Sequence, residues 1–122
     1  MANDFFYKKL DAYQYAKEFT LFIYTLIRKF PSYETYGISD QLRRASVSIP
    51  SNIAEGMGRM SIKERVHFLE IAYSSLTEVT CQMDIAESLG YITADDLQQV
   101  EAKSDHIGRI LSGLRKSLIN KQ

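Results

Sequence analysis

The spacing of apolar residues in this chain predicts an all-α, antiparallel up-and-down four-helix bundle with a proline-kinked second helix. Three observations carry that expectation. From Leu97 to Leu118 the residues Leu97, Val100, Ser104, Ile107, Leu111, Leu114 and Leu118 alternate spacings of three and four, the heptad regularity of helices that pack nearly parallel. Only two prolines and six glycines interrupt 122 residues, which leaves room for long periodic segments. The connections between those segments are short, and short connections make neighbouring helices run antiparallel. The length suits a single domain, 1–122, with helices expected at about 8–30, 38–58, 61–89 and 93–119.

In the first segment, apolar residues recur at helical spacing from Leu10 to Phe30 and cover more than one stripe, so two faces should be buried. Pro31 ends it, and "PSYETYG" is a turn-rich connection closing at Gly37. The third segment opens with Ser61 and Glu64 at capping-box spacing. Its seam runs Ile62, Val66, Leu69, Tyr73, Leu76 and Met83, and Gly90 is its stop. Cys81 is expected to be a small packed residue. The fourth segment starts at Thr93, with Asp95 and Asp96 at the positive end of the helix dipole.

The second segment contains "QLRRASVSIPSNIAEGMGR". Pro50 lacks an N–H and would clash with the Ser46 carbonyl, costing about 3 kcal/mol inside a helix. At 100° per residue, Ile38, Leu42, Ala45, Ile49 and Ile53 nevertheless stay on one side. The periodicity continues in phase across the proline, which points to one kinked helix. Ser46, Ser48 and Ser51 are placed to bond the backbone groups freed near the break. Opposite the core lies a polar stripe of Gln41, Arg44, Ser48, Ser51, Glu55 and Arg59. Arg44 and Glu55 are roughly 16 Å apart along the axis and cannot pair within the helix. A plain solvent face would carry more Lys and Glu, the better helix formers. Ser48, Ser51, Asn52, Glu55 and Arg59 are therefore the candidate interface residues of a homo-oligomer.

Composition narrows function further. No apolar run approaches the ~20 residues that span a bilayer, so no membrane partner is expected. The start "MANDFFYKKLDAY" lacks the order of a secretory signal, and Cys81 is the one cysteine, so a cytoplasmic location is expected. Fifteen basic residues balance fifteen acidic ones. From Arg28 to Arg65, however, seven basic residues face four acidic ones, which makes this stretch either a solvated face or a basic patch.

The chemistry-bearing motifs thin out on inspection. Glu64-x-x-His67 has the spacing of di-iron bundles, but such sites need the motif twice, and His106 has Lys103 in the matching place. His67 also falls away from the seam. "EGMGR" lacks the third glycine and the preceding strand of a dinucleotide fingerprint. Tyr7, Tyr13, Tyr15 and Tyr24 offer π-faces for bases, although packing accounts for them equally. The expectation is no catalytic set, no metal site and no cofactor.

"FPSYETYGISDQLRRASVSIPSNIAEGMGR", followed by "FLEIAYSSLTE" and "SLGYI", resembles the S23 or 23S rRNA intervening-sequence proteins, which are four-helix bundles. That family is similar to the accessory variability proteins of diversity-generating retroelements. The likeness runs from about Leu10 to Leu118, with Ser74 where members typically have Gly and Ile38 where they have Leu. It implies a ring-like homopentamer and a link to structured RNA or other nucleic acid, with a reverse transcriptase as a partner by analogy. By position it implies Arg43, Arg44 and Arg59 as basic contacts, whereas Lys63 and Arg65 are candidates from the charge count alone. Two functions follow as expectations: a non-enzymatic, oligomeric nucleic-acid accessory protein, or a homo-oligomeric scaffold without nucleic-acid contact.

Overall fold

In a computed structural model, the protein is described from residue 10 to residue 121. Four helices follow in order: α1 (Asp11–Ile27), α2 (Ile38–Met57), α3 (Ile62–Ser88) and α4 (Ala94–Ile119), with a short 3₁₀ turn at Ser32–Glu34 between the first two. No strand occurs among the described residues. Each helix packs on the next, α1 closes on α4, and α2 with α3 makes the most extensive pair. This is the expected four-helix bundle. The expected start of α1 at residue 8, and Tyr7 with it, lie outside the described residues. At its other end α1 stops at Ile27 rather than at residue 30, and the turn that follows keeps Phe30 buried ahead of Pro31.

Pro50 lies inside an unbroken α2, and Leu42, Ala45, Ile49 and Ile53 are all buried. The core face therefore holds its phase through the proline. The expected compensation differs. Ser46 Oγ donates to the Arg43 carbonyl at 3.2 Å, and Ser48 Oγ meets Ser75 Oγ at 2.8 Å. Thr20 Oγ1 of α1, buried, shares its single proton between the Ser46 carbonyl at 2.8 Å and its own helix's Ala16 carbonyl at 3.0 Å, the shorter contact being to Ser46. The Ser46 carbonyl faces α1 while Ser48 faces α3, so a neighbouring helix supplies the bond that Pro50 removes.

The small residues of α2 are partly explained inside the molecule. A Cβ on Gly56 would lie 2.9 Å from Phe68 Cβ and 3.3 Å from the Arg65 carbonyl oxygen, so glycine here sets how closely α3 approaches. In α3 itself, Leu69, Leu76 and Met83 are buried together with Ala72, Val79 and Ala86. Ile62 and Val66 are half-buried, while Tyr73 and Cys81 are exposed, contrary to the seam and packing expected of them. Because α3 packs on both α2 and α4, its apolar stripe is broad and centred on the alanines. Tyr73 falls at the edge of that stripe and Cys81 on the opposite, solvent side of the helix.

The helix ends follow local chemistry. Ser61 Oγ accepts the Glu64 N–H at 3.0 Å, but the Glu64 carboxylate takes the Ser61 hydroxyl, at 3.3 Å, and not its backbone. The reciprocal capping box forms instead at α4, where Thr93 and Asp96 each accept the other's backbone N–H at 3.0 Å. At the end of α3, Gly90 adopts φ 81°. Its N–H reaches the Glu87 carbonyl and the Tyr91 N–H reaches that of Ala86, both at 2.9 Å. This is the Schellman closure that a left-handed glycine permits.

Cross-helix bonds fix the register. Gln41 pairs with Gln82 at 3.1 Å and Ser48 with Ser75, linking α2 to α3. Thr80 pairs with Ser104 at 2.9 Å and Glu70 with Arg115 at 2.8 Å, linking α3 to α4. The end that carries two connections is tied by Lys29 to Asp96 at 2.9 Å and by Tyr91 Oη to Glu34 at 2.8 Å.

Candidate nucleic-acid interface

The arginines singled out by sequence do not form one patch. Arg43 is half-buried; its Nη2 donates to the Thr35 carbonyl at 2.9 Å and lies 3.8 Å from Asp40. Arg44 is 81% exposed and pairs with Asp40 at 3.1 Å. With Tyr24, Val47 and Ser48 they line a shallow depression on the α1–α2 side. Arg59 lies 15 positions beyond Arg44, on the order of 22 Å along the helix. It pairs with its own Glu55 at 2.7 Å and approaches Glu64 at 3.7 Å. Its guanidinium stacks over the Phe68 ring, 4.8 Å from the centroid, which leaves Nε buried without a hydrogen-bond partner. Arg65 Nε donates to the Arg59 carbonyl at 2.7 Å. Arg59 and Arg65 thus clamp the α2–α3 turn, and Lys63 beside them is exposed.

The interface candidates divide as well. Ser48 is half-buried against Ser75, and Asn52 Nδ2 donates to the Ser48 carbonyl and hydroxyl, each at 2.8 Å. These two belong to the α2–α3 seam. Ser51 and Glu55 are exposed and, with Ala54, Gly58 and Arg59, line a second open depression on α2.

Antiparallel folding redistributes the charge. Divide the bundle at the level of the Ser48–Ser75 bond, which the Thr80–Ser104 bond carries across to about Arg109 in α4. The end holding the α2–α3 turn (10–16, 48–75 and 109–121) carries seven basic and four acidic residues. The other end (17–47 and 76–108) carries six basic and ten acidic. Sequence reasoning missed the α4 contribution to the basic end: Arg115, Lys116 and Lys121, all exposed, lie at the same end of the bundle as Arg59, Lys63 and Arg65, with Arg115 paired to Glu70. The usable signal was the antiparallel topology itself, since it brings the end of α4 beside the start of α3. Arg43 and Arg44 sit in the acidic half.

At that acidic end Asp96 is held below the usual aspartate range, first by the Thr93 backbone N–H and then by Lys29. The Tyr91 phenol is pushed up by its hydrogen bond to Tyr33 and by Glu34. Tyr33 and Tyr36 are strongly exposed there. Of the tyrosines suggested for stacking, Tyr13 is half-buried, Tyr15 and His106 meet in a T-shaped pair with centroids 4.6 Å apart, and Tyr24 is exposed. His67 is exposed beside Phe68. Among the described residues, no group of three or more His, Cys, Asp or Glu is arranged to hold a metal ion, and no helix is long and apolar enough to cross a membrane.

The family model for the 23S rRNA-intervening sequence protein matches residues 8–113. The chain belongs to that family. The chain is also similar in fold to a crystal structure of a protein of unknown function from the S23 ribosomal protein family of Bacteroides thetaiotaomicron. That likeness has a TM-score of 0.79 and 23% identity, covering 86% of this chain and 98% of the other. No curated protein matches it.

Proposed function

We propose that this chain is a non-enzymatic, self-associating accessory protein of the cytoplasm that holds structured RNA through the basic end of its bundle. The observation that carries this is the excess of basic over acidic residues at the end of the bundle that holds the α2–α3 turn, where Lys63, Lys116 and Lys121 are exposed, in a chain whose overall charge is zero. A polyanion is recognised by such local concentration of cations. The family name ties the family to segments of 23S ribosomal RNA, which favours RNA as the polyanion. Arg59 and Arg65 position the turn, and the exposed lysines meet phosphate. No base-reading element is evident, so shape and charge dominate over sequence. One protomer neutralises few phosphates, so assembly of several, five by family likeness, supplies the avidity.

The scaffold alternative draws on Arg43, Arg44 and Arg59, each paired within its own chain. A salt titration of binding to a structured RNA hairpin separates the two. The log–log slope should shrink by roughly 0.7–0.9 for each phosphate that is no longer neutralised. Lys63→Ala/Lys116→Ala should therefore flatten it by the equivalent of about two phosphates, with oligomer mass unchanged. Absence of salt-dependent binding by the wild type overturns the RNA reading and leaves the scaffold.

A further inference from the structure

At the end opposite the basic one, apolar side chains lie uncovered beside carboxylates that no cation answers. Ile85 and Leu89 of α3 are 47% and 53% exposed, and Tyr33 and Tyr36 of the α1–α2 connection are more exposed still, at 78% and 94%. The Gln41–Gln82 and Ser48–Ser75 bonds set α2 and α3 in register. That register puts Ile85 level with Ile38, two residues after Tyr36. Seen down α3, Leu89 and Ile85 lie about 20° and 60° round from Gln82, the residue that meets α2. Both therefore stand on the edge of α3 that borders α2.

The polar groups of this edge are acceptors that lack donors. Gln82 is 8% exposed, and its Nε2 donates to Gln41 Oε1 and to Glu78 Oε2, each at 3.1 Å. Its own Oε1 is buried with no hydrogen-bond partner. Glu78, two turns before Ile85, and Asp84 beside it are exposed. Among the described residues neither has an ion-pair partner, and nor has Glu34 or Glu87. The cations of this end are spoken for: Lys29 pairs with Asp96, and Arg43 and Arg44 with Asp40.

Apolar residues scattered singly over a surface are ordinary, whereas a patch rimmed by polar groups marks a place of contact. Phosphate and anionic lipid are repelled by the charge here, and a cationic polypeptide is drawn in. We propose that this edge docks a basic, amphipathic helix of a partner protein. The apolar stripe of that helix covers Ile85 and Leu89, as a helix laid against a helical pair does. Its Lys or Arg side chains supply the donors that Glu78 and Asp84 lack, and meet the exposed faces of Tyr33 and Tyr36. RNA binding, at the opposite end, is independent of this surface.

The probe is a fluorescent peptide of about 18 Leu and Lys residues, ordered as an amphipathic helix and long enough to hold one. Its control has the same composition in an order that leaves no apolar face. By anisotropy at moderate salt, the first should bind the full chain about tenfold more tightly than the second. Ile85→Ser/Leu89→Ser should weaken the first about tenfold. Glu78→Gln/Asp84→Asn should weaken it too and flatten its salt dependence. Helix content should be unchanged in both variants, since all four side chains are exposed. Lys63→Ala/Lys116→Ala should leave peptide binding as it was, and Ile85→Ser/Leu89→Ser should leave RNA binding as it was, so failure here and failure of the RNA reading are told apart. The proposal is overturned by equal binding of the two peptides, by binding of neither, or by indifference to either pair of changes at this edge. It is also overturned if the wild type has a mass in light scattering that Ile85→Ser/Leu89→Ser lowers, because the surface would then serve a second copy.

Discussion

Pro50 removes the N–H that would bond the Ser46 carbonyl, and Thr20 answers from a different helix at 2.8 Å. The in-phase core across the proline was legible from Leu42, Ala45, Ile49 and Ile53. The donor was not, because it lies 26 residues away in sequence and only packing brings it close. Thr20→Val should leave that buried carbonyl without a partner and cost about 1–3 kcal/mol. Pro50→Ala restores an N–H at position 50, so Thr20→Val should cost much less in that background. Urea denaturation of the two single variants and the double variant measures this coupling. Asp96 offers a second check. Its folded pKa lies below the ordinary value, so its contribution is present above the usual aspartate pKa of about 3.9 and is lost as pH falls through the lowered folded value. Thermal melts should show wild type losing its advantage over Asp96→Asn as pH drops from 5 to 3, with no such loss between 7 and 5.

At the scale of elements, caps and stops were readable because they are local. Thr93 with Asp96, and Gly90 with its left-handed φ, act within a few residues of themselves. The seams were less readable where a helix has two neighbours. α3 buries Ala72 and leaves Tyr73 outside, since a broad stripe has no single best phase. The small residues of α2 show the same limit. Spacing marks them as a place of close approach but does not say whether the approaching backbone is internal or external. Gly56 is an internal case. Gly56→Ala gains roughly 1 kcal/mol of helix propensity, yet its Cβ would sit 2.9 Å from Phe68 Cβ and near a backbone oxygen. The net should be a loss of about 1–2 kcal/mol. Gly58→Ala, whose nearest neighbours would lie at 3.5 and 3.8 Å, should be neutral within about 0.5 kcal/mol. Chemical denaturation of the two variants side by side decides whether packing against α3 is what Gly56 serves.

For the molecule as a whole, charge along the chain and charge in space are different quantities. The basic excess from Arg28 to Arg65 is folded in two at the α1–α2 and α2–α3 connections, so Arg43 and Arg44 end among acids while Lys63 and Arg65 join the end of α4. Of the five basic candidates, Arg59, Lys63 and Arg65 thus share the basic end, and the further cations of that end come from about 50 residues further along. In copies joined side by side with parallel axes, all the basic ends lie on one face. Each protomer then adds an excess of three positive charges to that face, and phosphate contacts from several protomers act on one RNA. Affinity should thus depend on assembly even where the phosphate contacts are intact. Ser51→Arg places a bulky charge at the centre of the exposed α2 face, about 20 Å or more from Lys116 by the helical rise separating their levels and the width of the bundle. It should dissociate the oligomer while helix content and the exposed lysines of the basic end stay in place; the one positive charge it adds to that end works against the loss of RNA binding. RNA binding by that monomer should weaken at least tenfold at moderate salt, and its salt slope should fall toward that of a single protomer. Fluorescence anisotropy paired with light scattering measures both. A monomeric variant that binds as tightly as wild type would mean that one basic end suffices and that assembly serves something other than RNA.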